Sequence, residues 1–197
     1  MSLKQWGIGV LCCSTLLLTA CRVVDLDENG KPIIPPDPNA KASFANMTPA
    51  QIAQQTWDSR VSAPARDHAL DAATLPNSPT PQSVFVRLHS NIEKVDLTNP
   101  RERSVTVTLN NKPLEVQIGP LIRGNAVRDA AGFKFEDFTN QVQFAQLSKA
   151  YNREAVKHLP PIDAAWQQQP VTMLIAGNLK DGVLSDAVAL DIQQGAK

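Results

Sequence analysis

The chain has 197 residues, with 19 lysines and arginines against 19 aspartates and glutamates, so its net charge is zero. A balanced chain has no electrostatic footprint for a polyanion, which argues against nucleic acid as a partner. Its 3 cysteines, Cys12, Cys13 and Cys21, lie at or before position 21, so the remainder can form no disulfide and offers no thiolate ligand.

Lys4 precedes an uncharged apolar run from Trp6 to Leu18, and the small residues Thr19 and Ala20 lead into Cys21. This is the three-part layout of an export signal. The run falls short of the roughly 20 apolar residues that cross a bilayer core. Residues 1–20 are therefore expected to be a removable signal peptide, not a retained transmembrane helix. Leu18-Thr19-Ala20-Cys21 resembles the lipobox of bacterial lipoproteins. That resemblance implies a lipid anchor on Cys21, acylated by groups such as palmitate, as the new amino terminus and the contact with the membrane. An anchor of two or three chains, at about 0.8 kcal/mol per buried methylene, is effectively permanent. Arg22 stands where the enteric sorting rule places aspartate for inner-membrane retention, so the same resemblance implies a periplasm-facing protein and favours the outer membrane, with the inner membrane as the alternative.

Residues 21–47 read as a tether. Lys31-Pro32-Ile33-Ile34-Pro35-Pro36-Asp37-Pro38 has few backbone donors and fixed φ angles, and is expected to lie extended as a spacer. Asp25-Leu26-Asp27-Glu28-Asn29-Gly30 has the acidic look of a calcium loop but lacks the glutamate six residues after its glycine, so it reads as solvated chain.

Thr48-Pro49 is a helix start, with a capping hydroxyl followed by proline at the first helical position. Residues 48–75 are expected to form one interrupted helix or two short ones, with Pro64 as the kink or break. Pro76-Asn77-Ser78-Pro79-Thr80-Pro81 ends regular structure. Val84 to Leu88 is a strand candidate that continues past a bulge near His89–Asn91 into Ile92–Leu97. Val105, Val107 and Leu109 alternate with threonines, and Leu114, Val116 and Ile118 alternate with Glu115 and Gln117, the period of half-buried strands. Asn110-Asn111-Lys112-Pro113 is the turn between them.

A helix is expected from about Phe138 to Leu159. It would bury Phe144, Leu147, Tyr151, Ala155 and Leu159 and leave Gln143, Lys149, Arg153 and Lys157 to solvent. Val171–Ala176 and Ala187–Ile192 are two closing strands. The order predicts an α+β, mainly β fold: an OB-like five-stranded barrel over 82–197, with its helix between strands three and four and the 48–75 helical segment in front. Residues 48–197 would form one folded unit. A small α+β sandwich is the other architecture that fits the order.

Between the third strand and the helix lies Gln117-Ile118-Gly119-Pro120-Leu121-Ile122-Arg123-Gly124-Asn125-Ala126-Val127-Arg128-Asp129-Ala130. Together with Phe135, Asp137-Phe138-Thr139-Asn140-Gln141, Phe144-Ala145, Asn152 and Trp57-Asp58-Ser59, this segment resembles DUF2291, a family of predicted periplasmic lipoproteins. Asn125 and Leu88-His89-Ser90 depart from the family pattern. The resemblance implies a gene neighbourhood of sugar-type ABC importers, and so makes importer components or a small sugar candidate partners. It implies no activity.

The candidate binding or structural group is Arg123, Gly124, Arg128, Asp129, Asn140 and Gln141. Arginine forks can hold a carboxylate or phosphate, and planar amides beside Phe133, Phe135 and Phe138 suit a sugar. The reading favoured over binding is that the same residues brace the loop through an Arg128–Asp129 ion pair and helix capping. His68, His89 and His158 are widely spaced, with no metal spacing, nucleophile elbow or phosphate loop. The expectation is a non-catalytic protein without cofactor or metal. The rival readings are an envelope scaffold that docks another polypeptide and a glycan-acting enzyme with paired carboxylates.

Replacing Cys21 with serine is expected to leave an uncleaved precursor that takes up no radiolabelled palmitate. A cleaved Cys21→Ser product that still fractionates with membranes would contradict the anchor.

Overall fold

The computed structural model describes residues 25–26, 32–33, 44–138 and 141–195. Residues 1–20, expected to be a signal peptide, and Cys21, Arg22 and Asn140 lie outside the described residues. The chain divides into Met1–Lys41 and Ala42–Lys197. In the first unit, Asp25–Leu26 pairs antiparallel with Pro32–Ile33.

The second unit begins with two short helices. In α1 (Pro49–Trp57) the Thr48 hydroxyl accepts the Gln51 N–H at 3.3 Å, and the Gln51 side chain takes the Thr48 N–H at 2.9 Å. This reciprocal box satisfies two donors that the first helical turn leaves free. Asp58–Ser62 then forms a π turn that runs into α2 (Ala63–His68). Pro64 does not break the path. The wider turn closes with the Ala63 N–H on Asp58 O, so the N–H that proline lacks falls in the first turn of α2, where no partner is needed.

Five strands make the barrel: β1 (Gln82–Asp96), β2 (Glu102–Leu109), β3 (Lys112–Pro120), β4 (Pro170–Lys180) and β5 (Val183–Gln194). Their spatial order is β1-β2-β3-β5-β4, and β4 pairs back onto β1, which closes the sheet and sets aside the sandwich. The β3–β5 seam is parallel and short, Val116 opposite Ala187 and Gln117 opposite Val188. Leu70–Asp71 adds a two-residue parallel strand beside β1. Between β3 and β4 lie α3 (Ala126–Ala130) and α4 (Gln141–Lys157). The helix thus starts after Phe138, whose backbone is extended, and not at it.

Closure rests on β1, which pairs with β4 over Gln82–Asn91 and with β2 over Ile92–Asp96. His89–Asn91 stays in register with β4. The bulge falls at Glu93, between the partners of Ile92 and Lys94, where the strand leaves one neighbour for the other. Both tight hairpins use left-handed residue pairs, Asn110–Asn111 at φ 51° and 60° and Asp181–Gly182 at φ 50° and 73°. That geometry matches the twist of antiparallel strands. Lys112 and Pro113 therefore belong to β3, not to the turn.

Two cores result. The lumen holds Val86, Leu88, Ile92, Val105, Val107, Val116, Met173 and Ile175. A second core joins the helices to the barrel's outer wall, where Phe85, Ala176, Val188 and Leu190 meet Ile52, Trp57, Val61, Leu147 and Tyr151. In β5, Asp186 at φ 50° lies by an irregularity of register. It switches the inward side chains from Leu184 to Ala187 and Ala189, leaving Val188 and Leu190 for the outer core. Leu159, expected on the helix face, lies past the helix end and packs against the lumen cluster.

Gly119, at φ 78°, sits where a Cβ would lie 2.5 Å from Val156 Cγ2 on α4. Gly119→Ala is expected to cost about 1–3 kcal/mol in urea unfolding, from the left-handed backbone and the clash together. Val156→Ala in the same chain should return part of it. An unchanged midpoint for Gly119→Ala would contradict the close approach.

Candidate functional site

At the end of β3 the chain must leave the barrel and reach the outer helices, and the glycine-flanked segment performs this exit. Leu121 N–H bonds to Arg101 O at 2.7 Å. The Gln117 side chain accepts the Arg123 N–H at 2.8 Å and donates to Arg123 O at 3.2 Å. From α4, the buried Asn152 donates Nδ2 to Ile122 O at 3.2 Å and Gly124 O at 3.0 Å. Gly124 takes φ 89°, a conformation that its lack of Cβ allows.

The two arginines go to different partners. Arg123 is exposed, and its Nε donates to Glu102 Oε1 at 3.0 Å while Nη2 pairs with the same oxygen. Arg128 is only 7% exposed. It reaches Asp129 Oδ1 from Nε at 2.7 Å and donates Nη1 to Phe144 O at 3.2 Å; its guanidinium carbon sits 3.9 Å from the Phe144 ring centroid. Gln141 opens α4 with an exposed side chain, and no hydrogen bond joins it to either arginine. Of the expected aromatics, Phe133 and Phe138 pack in the core against Phe44 at centroid distances of 5.6 and 5.7 Å. Phe135 is half-exposed and meets Phe144 edge-on.

Two concavities stand apart from this group. One of about 360 Å³ at the barrel end is lined by Arg103, Ile118, Val156, Leu159, Pro160 and Ile162 among others. A smaller one, about 180 Å³, borders Trp57, whose indole stacks on His158 at 4.9 Å, and includes Arg66 and Asp191. Neither brings two carboxylates together. No group of three metal-ligating side chains occurs among the described residues.

With the geometry in view, the sequence profile of a family described as predicted periplasmic lipoprotein, DUF2291, matches residues 77–188. The chain belongs to that family. The matched span covers the first four barrel strands and the first half of β5, together with the exit segment. A solved OB-fold protein from Thermotoga maritima superposes with a TM-score of 0.55 at 14% identity, over 76% of this chain and 99% of that one. At that identity the likeness shows the fold alone: the DUF2291 chain is an OB barrel carrying added helices. No curated protein sequence matches it.

Three polar residues that this DUF2291 chain uses were not singled out as site candidates. Glu102 holds Arg123, and Asn152 ties the loop. Gln143, expected in solvent, is half-buried and donates to Phe44 O and Met47 O at 2.9 Å each, joining α4 to the stretch before α1. Asn152 had a legible signal, a polar residue on the helical stripe of Ser148 and Ala155, where an unpaired amide would be costly.

Asn152→Ala is expected to lower stability by about 1–3 kcal/mol, because two loop carbonyls lose their donor. A wild-type urea midpoint would contradict the brace. Tyr151 offers a second check. Burial pushes its phenol from 10.0 up to about 12, against the smaller opposing effect of its hydrogen bond with Thr56. Because the folded pKa is raised, this contribution to stability is fully present below the unfolded value of 10.0 and is lost as pH climbs toward about 12. Tyr151 is the single tyrosine, so phenolate absorbance should stay absent at pH 10 in the folded protein and appear in urea. Half-titration near pH 10 without unfolding would contradict the burial.

Proposed function

We propose that this DUF2291 protein is a non-catalytic accessory lipoprotein, held by acyl chains on Cys21 and serving a sugar-type ABC importer by docking one of its proteins or a small solute. The observation that supports a non-catalytic reading is how the exit segment spends its polar groups. Gln117 and Asn152 bond to backbone, Arg128 to Asp129 and Phe144 O, and Arg123 to Glu102. Donors committed in this way brace a loop and leave little to polarise a substrate. The importer link rests on the family resemblance, and the Arg22 position favours the outer membrane. From there, the importer's soluble binding component is the part within reach.

Cross-linking in cells that make the acylated protein, followed by purification, should enrich importer components over other periplasmic proteins. Calorimetry with simple sugars tests the solute arm. Failure of both would remove the transport link.

A second reading, an envelope scaffold, draws support from Phe135 and Val142, exposed at 49% and 64%. Large apolar side chains left in water near one helix start suit a polypeptide contact. Loss of a cross-linked partner in Phe135→Ser, with no importer component among those captured, would favour it.

A further inference from the structure

Arg103 stands in β2 beside an irregularity in its pairing with β3, between the partners of Arg103 and Ser104. Its Nε donates to Gly119 O at 3.0 Å, which fixes the guanidinium at the edge of the 360 Å³ cleft. No carboxylate lies within salt-bridge distance of it among the described residues. By contrast, Arg66 pairs with Asp58, Arg123 with Glu102 and Arg128 with Asp129. The neighbouring Glu102 is taken by Arg123, and Glu154 on α4 by Lys157. Arg103 therefore brings to this cleft a guanidinium that meets no carboxylate among the described residues, and the other lining side chains are all apolar.

We infer that this cleft binds a small amphiphilic monocarboxylate, with the Arg103 guanidinium receiving the carboxylate and Val156, Leu159 and Ile162 holding the apolar part. A guanidinium beside low-dielectric walls attracts an anion more strongly than one in open water, and its planar fork matches two oxygens. Pro160 and Pro161 contribute no N–H donors, so a third anionic oxygen would find no partner on that wall, which disfavours phosphate. α4 ends over the cleft, but two of its last carbonyls are occupied. Ala155 O takes the His158 N–H at 3.1 Å and Val156 O the Leu159 N–H at 3.3 Å, which limits the negative potential facing the ligand. The volume sits within the range of small-ligand sites. This site is separate from the importer reading and stands if that reading fails.

The test is calorimetry on the mature acylated chain in nanodiscs with isovalerate and its neutral isostere isovaleramide. Isovalerate should bind saturably and about tenfold tighter or more, the worth of a charge-assisted pair. Arg103→Gln should erase the preference while keeping the urea midpoint. Equal affinity for acid and amide, no saturable binding of either, or an unchanged preference in Arg103→Gln would overturn the inference. If that variant fails to fold, the acid and amide comparison on the unaltered chain decides.

Discussion

Phe85, Ala176, Val188 and Leu190 give one wall of the barrel an apolar outer face as well as an apolar lumen. Left in water, each large side chain on that wall would forfeit roughly 1.5–3 kcal/mol, so the wall needs a cover. The helical layer supplies it: Ile52, Val61, Leu147 and Tyr151 are wholly buried against it. The chain between β3 and β4 must therefore travel from the barrel's end to its outside. The exit segment, which lies inside the matched span, is that journey.

This explains where the polar residues of the exit segment spend themselves. The Arg123–Glu102 pair is largely exposed and contributes little on its own. Arg128 is different, because a guanidinium with 8% side-chain exposure must be paired. Asp129, Phe144 O and the Phe144 ring surround it. Asn152 does the same for two loop carbonyls. Arg103, on β2, meets no carboxylate among the described residues, and that contrast is what separates a candidate ligand site from the bracing.

Much of the barrel was legible because its signals are local. Val105 and Val107 alternate with threonines, Leu114 and Val116 with polar residues, and Asn110–Asn111 and Asp181–Gly182 are residue types that accept left-handed turns. Thr48-Pro49 marked α1 for the same reason. What escaped depends on partners far along the chain. The bend of β1 sits at Glu93 because β4 holds His89–Asn91 in register, and no residue near position 90 announces that strand. Pro64 looks like a break until the π turn before it absorbs the missing donor. Gln143 looks like a solvent residue because its acceptors, Phe44 O and Met47 O, lie almost a hundred residues upstream. Of the candidate group, the Arg128–Asp129 pair was visible from adjacency. The separation of Arg123 from Arg128 was not, since it is set by Glu102 on another strand.

The central claim is that the helical layer and the barrel share one cooperative unit through the outer wall. Native-state hydrogen exchange resolved along the chain tests it most directly. Slow-exchanging amides of α1 and β1 should open with the same free energy and the same dependence on urea. If α1 amides exchanged through a lower-energy opening while β1 stayed protected, the outer wall would not couple the helical layer to the barrel.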